Sequence, residues 1–194
     1  MDQEANTIEA VWNGPYSWPG FEEANKLPAI PNRPGVYLLT FEYNDGYLIY
    51  AAGITRRPVP VRLREHTRKY MNGEYNVLDI AAAEQGVRKE IWHGWGYARG
   101  HREEFEERKS IILNAVRRQL LGFRVFVSDM KAEPRLLARI EAAIMNHLSK
   151  QPTPLCDIPD KGMMLAPRRA DEKPLVMKNL SKVKLHGLPA YLEI

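Results

Sequence analysis

Two strand-like runs around a short turn constrain this chain more than any other feature. GVYLLTFEY (35–43) and YLIYAA (47–52) are rich in aromatic, aliphatic and β-branched residues and flank Asn44-Asp45-Gly46, the composition of a β-hairpin. Asp-Gly favours a two-residue turn with positive φ. With Asp45 and Gly46 as that turn, Phe41 faces Tyr50, and Tyr37, Leu39 and Phe41 share a face with Leu48, Tyr50 and Ala52. Two tyrosines, Tyr37 and Tyr50, then point the same way.

A helix follows. Thr55 can cap it, Pro58 and Pro60 suit its first turn, and Asn72-Gly73 ends it. Arg62, His66 and Lys69 fall on one stripe at i, i+4 and i+7. The run RRPVPVRLREHTRKY holds Arg56, Arg57, Arg62, Arg64, Arg68 and Lys69 against Glu65 alone, which is either a solvated helix face or a contact for a polyanion. The net charge of +4 is compatible with a polyanionic partner without requiring one.

Further along, residues 76–100 fit a short strand or helix and a glycine-interrupted strand. A helix is expected from about Arg102 to Leu121, with acids at its start and Arg117 and Arg118 near its end, as the macrodipole prefers. FRVFVSDM (123–130) reads as a third strand and EPRLLARIEAAIMNHL (133–148) as a helix with Pro134 in its first turn. The first 30 residues, with Trp12, Trp18 and several prolines, read as an irregular arm with a short helix at 20–26. From Pro154 the chain loses periodicity and ends in a basic tail. The expected division is an arm (1–27), a domain (28–158, with an insertion at about 76–122) and a tail (159–194).

At 194 residues and 44% apolar content the chain can bury one core. A single cysteine, Cys156, excludes an internal disulfide and fits a reducing compartment. No apolar run reaches the roughly 20 residues that span a bilayer, and MDQEANTIEA lacks the basic start and apolar stretch of a signal peptide. A cytoplasmic protein with no membrane contact is expected. The histidines show no paired spacing with the lone cysteine, which argues against zinc, and no glycine-rich phosphate loop is present.

One carboxylate is out of place. On the 133–148 helix Glu141 projects among Leu137, Ile144 and Leu148, within the apolar arc. A partly buried carboxylate there needs compensation. Either an arginine at the core edge pairs with it, or it is a hard oxygen ligand for Mg²⁺, which commonly takes one or two protein carboxylates and keeps several waters.

Taken together, Pro34-Gly35-Val36-Tyr37 on one strand, Tyr50-Ala51-Ala52-Gly53 on the next, Arg62 and His66 on the following helix and Glu141 in RIEAAI resemble the GIY-YIG nuclease family over roughly residues 28–158. The resemblance implies a small, mainly antiparallel three-stranded α/β (α+β) sheet flanked by helices, with an inserted helix and extended termini. It implies a DNA endonuclease, of repair or restriction type, that uses Mg²⁺ or Mn²⁺. Tyr37 and Tyr50 would orient or deprotonate the nucleophilic water, Arg62 would stabilise charge on the phosphate, His66 would assist proton transfer or contact the phosphate, and Glu141 would hold the metal. Arg56, Arg57, Arg64, Arg68 and Lys69 would grip the DNA backbone through salt-sensitive contacts, and cutting both strands invites a homodimer.

Phosphodiester hydrolysis needs an activated water, charge stabilisation at the phosphate and a stabilised leaving oxygen, and these residue types supply them. A tyrosine near such cations could have its pKa lowered enough to act as a base. The second motif departs from the family pattern, Tyr-x-Gly, by one residue. The extra alanine turns Tyr50 to the other face unless a bulge absorbs it. The family's late asparagine falls near Asp157, which is its expected replacement. Two other readings compete: a catalytically degenerate nucleic-acid-binding module of the same fold, and a structural or assembly protein built on Trp12, Trp18 and the tail.

Overall fold

The computed structural model describes residues 7–194; the first six residues of the expected arm lie outside the described residues. In chain order the elements are β1 (Thr7–Ser17), α1 (Glu22–Asn25), β2 (Gly35–Tyr43), β3 (Gly46–Thr55), α2 (Val59–Met71), β4 (Val77–Leu78), α3 (Ile80–Ala83), β5 (Glu90–Trp92), α4 (Trp95–Gly100), α5 (Arg102–Glu107), α6 (Lys109–Gly122), β6 (Arg124–Ser128), α7 (Pro134–Leu148), β7 (Val176–Ser181), β8 (Lys184–His186) and β9 (Tyr191–Glu193).

The small three-stranded sheet expected from the sequence is not what forms. The protein is α+β, with a seven-stranded mixed sheet in the order β8-β3-β2-β6-β1-β7-β9 and a separate β4-β5 pair. The antiparallel β3, β2 and β6 are only its middle. The rest is recruited from both ends of the chain. β1, read as an irregular arm, runs parallel to β7 through its first half and antiparallel to β6 through its second. The segment read as a tail supplies strands at both edges of the sheet. These strands are hard to see in sequence because each buries few residues: Ala10, Trp12 and Ser17 in β1, Met177 in β7, Leu192 in β9.

The sheet must curl. β7 ends at Ser181 and β8 begins at Lys184, yet the strand order places them five positions apart. Five strand spacings are about 24 Å, whereas three Cα steps span at most about 11 Å. Only a curved sheet brings its β8 edge back towards β7.

Each face of the sheet carries its own core. On one, Trp18 and Phe41 stack on Phe123, with ring centroids 5.4 and 4.9 Å apart, and α2 and α6 cover them with Leu63, Ile112, Val116 and Leu120. On the other, α7 lays Leu137, Ile140, Ile144, Met145 and Leu148 over Val36, Leu38, Ile49 and Ala52. Trp12 of β1 is buried in this second core and its Nε1–H donates to Asn179 Oδ1 of β7 at 2.9 Å. The expected 102–121 helix is broken at Arg108, whose φ of −97° and ψ of 5° separate α5 from α6; its guanidinium donates to Glu104 and to the Ile91 carbonyl.

Candidate active site

The hairpin differs from the expected register in two ways. Tyr43 pairs with Gly46, so Asn44 and Asp45 form the turn and Asn44 takes the positive φ, 49°. Phe41 therefore faces Leu48, not Tyr50. A bulge follows: Thr40 pairs with Ile49 and Leu39 with Ala51, leaving Tyr50 opposite no residue. This bulge absorbs the extra alanine. Tyr37, Tyr50 and Ala51 lie on one face, in the core under α2, while Ala52 turns to the other, under α7.

Beyond the bulge β3 is a bare edge, because β8 pairs only with Gly46–Leu48. Its polar groups find other partners: the Ala52 N–H donates to Met145 Sδ at 3.2 Å, and the Tyr50 carbonyl accepts from the Asp160 N–H at 2.8 Å. Ala51, Ala52 and Gly53 leave room at this edge, and a cavity of about 350 Å³ opens there. Gly53 is needed for the fit, since a Cβ would run into the ring of Tyr37.

Tyr37, Tyr50, Arg62, His66 and Glu141, expected from strands and helices far apart in sequence, all line this cavity, and Lys69 joins them. α2 is anchored by Trp18, whose Nε1–H donates to Thr67 Oγ1 at 2.8 Å, so its stripe of Arg62, His66 and Lys69 faces the opening. Glu141 reaches it from α7 past the β3 edge. Of the basic run, Arg57 is engaged in a bidentate pair with Glu65 at 2.7 and 2.8 Å, and Arg62 meets the same carboxylate at 3.4 Å. Arg56, Arg64 and Arg68 are exposed outside the cavity.

Burial sets the protonation states. It pushes the Tyr37 hydroxyl well above its usual range; Arg62 pulls the other way and Glu141 adds to the rise. The expectation that nearby cations make a tyrosine a base is thus reversed, and Tyr37 is a protonated donor. Tyr50 is likewise pushed up by burial, and its hydroxyl is closed off from solvent with no hydrogen bond of good geometry. His66 is held neutral, its pKa lowered to about 3 by burial and then by Arg62 and Lys69. Its Nε2 is buried without a partner. Its ring meets Tyr37 and Tyr75 edge-on at 6.3 and 5.3 Å.

Glu141 is raised to about 7 by burial, with Arg62 the opposing influence. It makes no ion pair among the described residues, Arg62 being paired with Glu65 instead. The carboxylate is thus uncompensated at the cavity wall. Among the described residues no cluster of three or more His, Cys, Asp or Glu side chains forms a metal cage. Two carboxylates line the cavity, and with Asp160 engaged by Asn76 and Trp95 it is Glu141 that would be left to hold a hard cation such as Mg²⁺ or Mn²⁺.

Among the cavity residues that escaped the sequence reading are Tyr75, Trp95 and Asp160. Asp157, the expected counterpart of the late asparagine, does not line the cavity; Asp160 does. Asp160 Oδ1 accepts from Asn76 Nδ2 at 2.7 Å and from Trp95 Nε1 at 3.3 Å, and burial raises its pKa. These residues sit in loops and in the insertion, where no periodicity marks a face. Comparison with known proteins found no match: no family model, curated protein or solved structure is significantly similar to the chain.

Proposed function

We propose that the cavity is the active site of a Mg²⁺- or Mn²⁺-dependent endonuclease that hydrolyses phosphodiester bonds in DNA. The observation that carries this reading is the convergence of Tyr37, Arg62, His66 and Glu141 on one cavity from β2, α2 and α7. Among the described residues, a half-buried carboxylate without an ion pair, a buried imidazole nitrogen without a partner and a guanidinium meet at the same opening, which favours chemistry there over packing alone.

Arg62 is placed to hold a phosphate oxygen with a permanently charged fork. Tyr37, protonated, donates a hydrogen bond that orients water or phosphate. His66 begins neutral, and its Nε2 is closed off as the Tyr50 hydroxyl is, so it acts through its edge-on contact with Tyr37, holding that ring towards the water or phosphate. Glu141 would hold the divalent cation, which supplies Lewis-acid stabilisation at the phosphate and leaving oxygen. Tyr50, closed off from solvent, is a positioning residue. Arg56, Arg64 and Arg68 are free to contact the backbone of the DNA. The bulge keeps Tyr50 on the same face as Tyr37, which favours the endonuclease, while the closed Tyr50 hydroxyl favours a catalytically degenerate module of the same fold. A cytoplasmic location and a homodimer that cuts both strands belong to the same proposal. No helix among the described residues is long and apolar enough to cross a membrane.

The test is nicking of mixed-sequence supercoiled plasmid with Mg²⁺ or Mn²⁺ by the wild type, Glu141→Ala and Arg62→Ala. Cleavage by the wild type, reduced about 100-fold or more in both variants, supports the reading. Equal behaviour of all three preparations overturns it.

A further inference from the structure

A groove of about 580 Å³ continues from the cavity along the inserted segment, sharing Lys69, Tyr75, Trp95 and Met164 with it. Its wall is aromatic and cationic. The Tyr75 and Trp95 rings lie 4.8 Å apart at 42°, Lys69 Nζ stands 5.6 Å from the centre of the Tyr75 ring, and the exposed Arg99 and Arg102 line the far side. The acidic lining residue, Glu74, is drawn to Lys69 at 3.7 Å and Arg102 meets Glu106 at 3.4 Å, which leaves Arg99 as the lining cation without an ion pair among the described residues.

Trp95 is held in place. Its φ of 52° is unfavourable for a bulky residue and persists only where the surroundings enforce it. Its backbone N–H donates to the Glu74 carbonyl at 2.7 Å, and its indole donates to Asp160. The chain passes so close at Gly162 that a Cβ there would meet the indole. The ring nevertheless remains partly exposed, whereas Trp12, Trp18 and Trp92 are buried.

We propose that this groove binds an unpaired nucleotide strand adjoining the scissile phosphate, so that the preferred substrate is single-stranded DNA or a duplex with an unpaired end. The inference rests on the phosphodiesterase reading above. The partly exposed Trp95, backed by the buried Tyr75, offers a fixed aromatic face beside cations, the arrangement on which an unpaired base stacks while its phosphates are neutralised. A paired duplex keeps its base faces stacked inside and draws on cations alone, which leaves the exposed part of the Trp95 ring without use.

The test measures binding in EDTA, where cleavage plays no part. Oligothymidine is expected to quench tryptophan emission and to bind more tightly than a blunt duplex of equal length. Trp95→Leu should remove the quench and weaken oligothymidine binding about 5- to 150-fold, the range of base–aromatic stacking. Arg99→Glu, at an exposed position, should weaken it and lower its salt dependence while keeping the quench at saturation.

Equal wild-type affinity for oligothymidine and blunt duplex, or wild-type affinity in both variants, overturns the proposal. Tighter binding of oligouridine than of oligothymidine overturns the assignment to DNA. Plasmid cleavage by the same preparations separates the two failures. Cutting without preference for unpaired strands overturns the groove alone. Binding of unpaired strands without cutting upholds the groove and overturns the catalytic reading.

Discussion

The ring of Tyr37 covers Gly53 so closely that a Cβ at position 53 would overlap it. Tyr37 and Gly53 are directly paired across the hairpin, so the glycine is the recess in which the tyrosine lies. Gly53→Ala is expected to displace the ring and to destabilise the protein by about 1–3 kcal/mol, as overpacking does. Denaturant unfolding measures the loss. A concurrent fall in plasmid cleavage would follow from the displaced hydroxyl.

In metal-free protein two groups should impose opposite pH dependences. Glu141 rises from 4.5 to about 7 on folding, so the folded state binds its proton more tightly. Its contribution is present below pH 4.5 and is lost as pH rises through 7. His66 falls from 6.5 to about 3; its contribution is present above 6.5 and is lost as pH falls through 3. Each is worth on the order of a few kcal/mol, and between pH 4.5 and 6.5 they offset one another. Glu141→Gln should therefore gain stability relative to wild type as pH rises from 4.5 past 7, and His66→Phe should gain as pH falls from 6.5 to 3. Urea midpoints across pH 3–8 in EDTA test both signs.

Asp160 joins the 159–164 loop to the insertion through Asn76 and Trp95. Asp160→Ala leaves those donors unmatched and should cost about 1–3 kcal/mol. Asp160→Asn keeps an acceptor and should recover most of that stability. If cleavage also recovers in the asparagine variant, Asp160 acts by positioning Trp95; if it does not, the charge itself is required.

Trp12 distinguishes a strand built into the sheet from an arm laid on it. It is buried to 3% exposure and hydrogen-bonded to Asn179. Trp12→Ala should destabilise the whole domain by about 3–5 kcal/mol in a single cooperative transition, measured by thermal unfolding. A separate early transition confined to the N-terminal segment would count against the continuous sheet.

Local features were legible where periodicity is strong. The hairpin, the basic stripe on α2, the strand at β6 and the misplaced carboxylate on α7 all follow from spacing and side-chain type, because each depends on neighbours only a few residues away. So did the conditional bulge, since an odd residue in a strand must either bulge or flip the chain. The turn was misplaced by one residue, because Asn44 adopts positive φ as readily as the Asp-Gly pair invites it.

How those pieces are enclosed depends on contacts between distant parts of the chain. β1, β7, β8 and β9 are short of buried side chains or interrupted by Gly-Pro, and the pairings that join β1, β7 and β8 to the rest of the sheet are with partners more than 100 residues away in sequence, which no local pattern encodes. The same holds for Tyr75, Trp95 and Asp160, which converge on the cavity from a loop and an insertion. Side-chain type and spacing marked the residues capable of chemistry; the curled sheet, in which pairing with β8 stops at Leu48 and leaves the β3 edge open, brings them together and sets what lies beside them.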